Sequence, residues 1–167
     1  PTVLGQACAA IRGDNELWLG LALMSGALDD LDPHHFAAAC ADLVTEVSRP
    51  DTWTNYDLSE EVEEALRSLQ NVRRRLFQVQ RRYKVALPVW LEWDLIGLVE
   101  QWALGTDWLE LVDNTSLDEG DVVRILRRTL DLLSQIPYIP YASDSIRQNA
   151  ARARQLIDRF PVNEEVQ

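Results

Sequence analysis

The sequence has no long hydrophobic run and little glycine or proline. No uncharged run, 17–28 included, exceeds 12 residues. A membrane-spanning helix needs about 20 apolar residues, and a secretory signal has a basic start before an apolar stretch, so neither is expected. Glycine and proline number 7 each, which excludes collagen-like and low-complexity classes. Hydrophobic residues make up 47% of the chain, enough for a core. Because residue 1 is proline, we expect a piece of a longer protein.

Cysteine and histidine are scarce, with two of each. Cys8 and Cys40 lie in alanine-rich, helix-like sequence, and we expect both to be buried, reduced thiols, as in a reducing compartment. His34 and His35 are adjacent, whereas metal-binding histidines on a helix stand three or four residues apart. We therefore expect no metal site.

The motifs of self-contained enzymes are also missing. The sequence has no GxxxxGK[ST] phosphate loop, no GxSxG nucleophile turn, no CxxC and no HExxH. Its carboxylate pairs are those that any acidic helical protein shows. We expect this chain to have no catalytic residue, no enzyme activity and no cofactor of its own.

Charge is present in quantity but is unevenly spread. The net charge is −11, and all of it comes from residues 1–66, which carry 13 acids and 2 bases. Residues 67–167 carry 14 of each. Of the 16 bases, 15 are arginine, and Lys84 is the one lysine. An acidic surface repels nucleic acid, so any polyanion site must be local, lie in the second half and use arginine.

The hydrophobic periodicity is helical nearly throughout and predicts an all-α bundle of about seven to eight helices in a single domain, 1–167. Residues 1–50 form its N-terminal helices. Residues 47–58 are the longest irregular segment; we interpret them as an ordered crossover held by Trp53 and Tyr56, or else as a linker. The helices are expected at 2–11, 14–25, 33–46, 59–84, 89–104, 107–113, 118–136 and 143–159.

The helix over 59–84 is the longest and bears most of the clustered arginines. Its apolar residues recur every three or four positions and form one stripe. Arg73, Arg74 and Arg75 in its middle are more than the helix dipole needs. They form either a solvated face or a contact to a polyanion or acidic partner.

The helix over 89–104 has tryptophans on two sides. Trp102 lies on the main apolar face, whereas Trp90 and Trp93 lie with Gly97 on roughly the opposite side. Trp90 and Trp93 are therefore either buried within the domain or candidates for docking on a missing part of the parent protein.

The helix over 118–136 carries the most informative pattern. A capping box of Ser116 and Glu119 is expected to open it, and Gly120 is expected to permit close approach of a neighbour. Opposite its apolar face lies a polar stripe, our name for four residues: Arg124, Arg127, Arg128 and Asp131. Three arginines on one face form either a solvated surface with weak ion pairs or an edge that contacts phosphates or bases. A duplex-DNA helix–turn–helix also fits the pattern, but the net charge disfavours it.

This region resembles the DSHCT domain, the C-terminal helical domain of exosome-associated and antiviral-type DExH-box RNA helicases. The similarity extends to residues 25–44 and to the helix over 59–84. The motif residues are most similar to those of the cyanobacterial and chloroplast branch. The matching residues are Trp102, Gly105, Trp108, Thr115, Glu119, Gly120, Asp121, Arg124, Arg127, Arg128, Asp131, Leu132 and Leu133.

The resemblance implies a helical bundle packed on RecA-like motor domains of the same chain. One helix, the ratchet helix, would line the channel for single-stranded RNA, with an RNA-facing arginine at Arg128 and an acid at Asp131, where the family more often has glutamate. Arg124 and Arg127 join them as candidate RNA-binding residues. ATP and Mg²⁺ would bind the parent motor. The compartment would be the bacterial cytoplasm, or the chloroplast stroma in a plant. The alternative is a structural brace that docks on the motor without touching RNA.

Overall fold

The computed structural model describes residues 16–44, 52–83, 93–140 and 142–164. Within these ranges it contains helices and no strand, which confirms the all-α class. No helix there is long and apolar enough to cross a bilayer. The helix predicted at 2–11 lies outside the described residues. The elements are α1 (Glu16–Met24), α2 (Pro33–Val44), α3 (Glu60–Tyr83), α4 (Trp93–Ala103), α5 (Trp108–Asp113), α6 (Glu119–Gln135), a 3-10 turn (Ile136–Tyr138) and α7 (Asp144–Ile157).

Helix α2 is the centre of the bundle. It begins at Pro33, as the sequence predicts, and packs against α3, α4, α6 and α7. Every residue from His35 to Leu43 is buried. Most are alanine or cysteine, and such small side chains let four helices approach one backbone. Cys40 is a buried free thiol, as expected, and burial raises its pKa. Cys8 lies outside the described residues.

The apolar faces predicted for α3 and α4 turn towards the core where the structure describes their side chains, at 60–75 and 95–103. Leu66 and Leu69 of α3 are fully inside, and Leu95, Leu98 and Trp102 of α4 pack in the same core. In α4 the consecutive residues 95–100 are all buried, so this helix is covered on both sides, as the sequence suggests. The docking interpretation stays a prediction, because Trp90 and the side chain of Trp93 lie outside the described residues.

Residues 52–59 run as an extended strap across the bundle. Thr54 pairs with Thr115 in an isolated antiparallel bridge. Asn55 N donates to Asn114 O at 2.8 Å, and Ser116 N donates to Trp53 O at 2.9 Å. The expected ordered crossover is therefore present over residues 52–59, and Tyr56 packs against the core as expected. At Trp53 it is main-chain hydrogen bonds that hold the strap. The indole of Trp53 remains about half exposed.

The close approach expected at Gly120 occurs at Gly97. A Cβ on Gly97 would lie 2.5 Å from Tyr56 O and 3.3 Å from Asp57 O, both main-chain atoms of the strap. A Cβ on Gly120 would meet only the side chain of Asp118, at 3.4 Å. The expectation for Gly120 is wrong, because its nearest neighbour belongs to its own helix cap. Gly97 is what lets the strap cross α4.

We expect Gly97→Ala to lower the free energy of unfolding by about 1–3 kcal/mol, because the new methyl group must displace backbone. Gly120→Ala is the matched control: it has room, and alanine should stabilise α6 by up to about 1 kcal/mol. Urea denaturation followed by circular dichroism measures both. Equal midpoints for the two variants would contradict the tight crossing at Gly97.

Candidate nucleic-acid interface

The polar stripe lies on α6, whose start differs from the prediction. Asp118 is the N-cap, and its side chain accepts a hydrogen bond from Asp121 N at 2.8 Å. The predicted capping box of Ser116 and Glu119 is therefore wrong. Ser116 Oγ instead accepts from Trp53 N at 2.8 Å, which ties the strap to the loop before α6. The N-cap of α5 is Asp107, whose side chain makes no cap hydrogen bond.

The opposite face of α6 fixes the direction of the stripe. As predicted, its apolar residues are buried, and they pack towards α2 and α7. Thr129 joins them by donating its hydroxyl to Ile125 O at 2.9 Å, so that no buried hydroxyl is left unpaired. Because this face is in the core, the stripe faces outward on a rigid element. The predicted buried set is Val122, Ile125, Leu126, Leu132, Leu133 and Ile136.

Arg127 is held by the end of the chain. Its Nε donates to Val162 O at 3.1 Å, and its guanidinium also donates to Glu164 O. The side chain is half-buried, and it fastens the segment after α7 onto α6. An RNA contact at Arg127 would compete with these hydrogen bonds, so its geometry indicates a structural role.

Arg124 is exposed and makes a surface ion pair. Its guanidinium lies 3.4 Å from Asp121 Oδ1, one turn earlier on α6. Such exposed pairs contribute about 0–1 kcal/mol and exchange readily with other partners. Arg124 can therefore turn to a phosphate at little cost.

Arg128 and Asp131 are both exposed. Across the described ranges, neither side chain takes part in a hydrogen bond or ion pair, and the two do not pair with each other. An unpaired guanidinium offers its full planar fork to a ligand. Arg128 is thus the position of the stripe best prepared to bind an anion.

The tryptophans of the DSHCT-like motif form a joint between α4, α5 and the end of α7. Trp102 Nε1 donates to Ile157 O at 2.9 Å, and its ring meets Trp108 edge-on at 5.7 Å. The guanidinium of Arg159 lies 3.6 Å from the Trp102 ring centroid and donates to Trp102 O. Burial lowers the pKa of Arg159, and Asp107 opposes this effect. Gly105 has a positive φ of 101°, which ends α4 in a left-handed turn. The contacts of Trp102, Trp108 and Arg159 therefore indicate a structural role.

The arginine cluster of α3 is divided. Arg74 and Arg75 are exposed, whereas Arg73 is half-buried and interacts electrostatically with Asp42 of α2. Two of the three side chains therefore fit either a solvated face or a contact surface. The third belongs to the α2–α3 packing.

Within the described residues, one group could offer three ligand atoms to a metal ion: Asp32, His34 and His35, all within 4.8 Å of one another. The adjacency of the two histidines in the sequence predicts no such grouping. His35 is buried, and its Nε2 lies 3.4 Å from Glu100 Oε1. Glu100 Oε2 in turn accepts from Ser59 N at 3.3 Å. His35 therefore joins α2, α4 and the start of α3, and we assign it to packing.

Comparisons with known proteins agree with the resemblance. Residues 1–165 match the model of the DSHCT (NUC185) domain. The chain is 40% identical over 165 residues, 96% of its length, to the chloroplastic DExH-box ATP-dependent RNA helicase DExH15 of Arabidopsis thaliana. It is 28% identical over 140 residues, 80% of its length, to DExH-box ATP-dependent RNA helicase DExH10 of the same plant. It is 27% identical over 139 residues, again 80%, to ATP-dependent RNA helicase mtr4 of Schizosaccharomyces pombe.

The matched region is a small part of each of these relatives. It spans 14% of DExH15, 14% of DExH10 and 12% of mtr4. The match to the domain model, in contrast, covers nearly the whole chain. The chain therefore belongs to the DSHCT domain family.

Proposed function

We propose that this chain is the C-terminal helical domain of an ATP-dependent DExH-box RNA helicase, and that α6 contacts single-stranded RNA through Arg128 and Asp131. The helicase names of the relatives support the parent activity. The observation that carries the RNA contact is the exposed, unpaired Arg128 on a helix whose other face is buried. ATP and Mg²⁺ would bind motor domains of the parent protein.

The chemistry of the contact is electrostatic. A guanidinium binds a phosphate through two parallel hydrogen bonds, and a charge-assisted contact of this kind is worth about 1.5–3 kcal/mol. Asp131, one turn after Arg128, could accept from a ribose hydroxyl or a base amine and would repel a phosphate. Together the two side chains would grip a strand locally and close the RNA channel between ATP cycles.

The net charge explains why the contact requires the parent enzyme. At −11, the isolated chain should bind RNA no better than the non-specific range of about 10⁻⁴–10⁻⁶ M. In the helicase the motor would hold the strand beside α6, so that one arginine matters. The compartment would be the chloroplast stroma in a plant, in keeping with the chloroplastic relative, or the bacterial cytoplasm.

The test is the rate of RNA unwinding by the full helicase. We expect Arg128→Ala to slow unwinding by about tenfold or more, since each 1.4 kcal/mol in the limiting step is a factor of ten. Arg128→Lys should restore only part of the rate, because lysine keeps the charge but not the fork.

Arg152→Ala is the matched control. Arg152 is an exposed arginine on α7, and its side chain has no partner among the described residues. Its loss should leave the unwinding rate unchanged. A wild-type rate for Arg128→Ala would reject the RNA contact and favour the brace that docks on the motor. Equal slowing by both variants would show a general effect of charge.

A further inference from the structure

The segment that follows α6 displays one aromatic ring to solvent. Residues 136–140 read IPYIP, and the first three form the 3-10 turn. Ile136 and Ile139 are buried, while Tyr138 between them is 82% exposed. A 3-10 turn has three residues per turn, so positions 136 and 139 share one side and position 138 must point elsewhere. The exposure of Tyr138 follows from how the turn is anchored.

The backbone that carries Tyr138 is held in place. Pro137 precedes Tyr138 and Pro140 follows Ile139, and the ring of each proline fixes its own φ angle. Ile139 N donates to Ile136 O at 3.1 Å, and the Arg147 guanidinium donates to Ile139 O at 3.0 Å. The Tyr138 hydroxyl has no hydrogen bond to any residue that the structure describes. A ring on such a rigid base loses little entropy when a ligand covers it.

Tyr138 continues the outward face of α6. With about 100° per α-helical residue and about 120° per 3-10 residue, it falls within about 80° of Arg128 around the axis. Arg124 and Asp131 lie inside the same arc. Along the axis Tyr138 is about 16 Å beyond Arg128, the length of about five stacked nucleotides. One strand could therefore pass both residues.

We propose that Tyr138 is a stacking platform for a base of the RNA strand whose phosphate Arg128 binds. This inference rests on the proposed function and adds to it a contact that recognises bases. Every base has a π-face, so an exposed tyrosine binds RNA without regard to sequence, as translocation along a strand requires. The exposed arginines of the polar stripe, about 16 Å or more from the ring along the same face, attract a polyanion, whereas an apolar protein surface that covered this face would leave their charges desolvated.

The test compares two RNAs with the full helicase: a uridine oligonucleotide, and a strand of the same length with abasic riboses. Their affinities are measured by fluorescence anisotropy with a non-hydrolysable ATP analogue. We expect Tyr138→Ala to lower the affinity for the uridine strand by about five- to hundredfold, the range found when one stacked base loses its aromatic partner. The affinity of the Tyr138→Ala helicase for the abasic strand should equal that of the wild type. Tyr138→Phe keeps the ring and should bind both strands as the wild type does.

Two further variants separate the possible explanations. Phe160→Ala removes another exposed ring, 68% exposed, outside α6 and its 3-10 turn, and should not change the difference between the two strands. Arg128→Ala should lower the affinity for both strands, because both carry the phosphates that Arg128 contacts. A result in which Arg128→Ala leaves both affinities unchanged while Tyr138→Ala lowers only the affinity for the uridine strand would reject the phosphate contact and support the stacking contact. The stacking platform would be overturned if Tyr138→Ala lowered the affinity for both strands equally, or for neither. An equal loss of affinity would assign the ring to a contact with protein.

Discussion

Replacing Trp102 with alanine is expected to lower the free energy of unfolding by about 3–5 kcal/mol, the range for a large buried aromatic residue. Trp102 is 1% exposed and is among the largest fully buried side chains of the core. Its indole N–H donates to Ile157 O, so the substitution also leaves a carbonyl of α7 without its donor. Trp108 and the guanidinium of Arg159 would both lose their contact with the indole ring. Because these contacts join α4, α5 and α7, no single neighbour can collapse into the cavity.

Urea denaturation followed by circular dichroism measures this loss. Trp102→Phe keeps a ring but loses the indole donor, so its midpoint should lie between those of the wild type and Trp102→Ala. Trp53→Ala is the control, because that indole is about half exposed and the strap that carries it is held by main-chain hydrogen bonds. A loss below about 1 kcal/mol in Trp102→Ala would show that the joint repacks.

Amphipathic helices are the part of this fold that the sequence predicts well. The face of α6 and the stripes of α3 and α4 follow from spacing alone, since a helix in contact with the core on one side must repeat its apolar residues every three or four positions. Helix α2 is different. It is buried on all sides, so it has no apolar stripe, and no hydrophobic periodicity predicts its central position. The signal that could have found it is its run of small residues, which only close packing requires.

Long-range polar contacts are the part that spacing cannot predict. Ser116 fits a capping box by local pattern, but Trp53, far away in sequence, uses its hydroxyl. Arg127 looks equivalent to Arg128 on the helical wheel, yet the carbonyls of Val162 and Glu164 bind it. Both differences come from segments that reach the site only after folding. Helical periodicity gives the direction of a side chain, and tertiary hydrogen bonds decide whether it is free.

Tyr138 shows a third kind of omission. The helical periodicity predicts an end at residue 136, so it does not extend the outward face into the turn that carries Tyr138. The two prolines of IPYIP suggest a break in the helix, but Gln135 and Ile136 both keep right-handed helical φ and ψ, so α6 passes directly into the 3-10 turn. The signal was the pair of isoleucines three residues apart, which places the tyrosine on another side.

The stability of the domain should depend on pH through Asp42, a buried carboxylate of α2. Asp42 is 3% exposed, and neither carboxylate oxygen has a hydrogen bond to any described residue. Burial raises the pKa of Asp42 from 3.8 to about 7, and the nearby Arg73 guanidinium opposes part of that rise. An acidic residue in the otherwise apolar run of α2 was the sequence signal for this site.

The direction of the effect follows from the protons bound. Between about pH 4 and pH 7 the folded chain keeps a proton on Asp42 that the unfolded chain has released, so stability falls as the pH rises. Each unit of raised pKa corresponds to 1.36 kcal/mol, which gives a total of about 4 kcal/mol. Below pH 4 both states are protonated, and above pH 7 both are ionised, so this contribution is constant at either end.

Asp42→Asn isolates this contribution, because asparagine does not ionise. We expect the variant to gain stability relative to the wild type by about 4 kcal/mol between pH 4 and pH 7, whatever fixed difference the amide introduces. Urea denaturation at half-unit pH intervals measures the two profiles. Asp131→Asn makes the same change at an exposed position and should follow the wild-type profile. Parallel profiles for Asp42→Asn and the wild type would mean that Arg73 holds the carboxylate ionised in the folded chain.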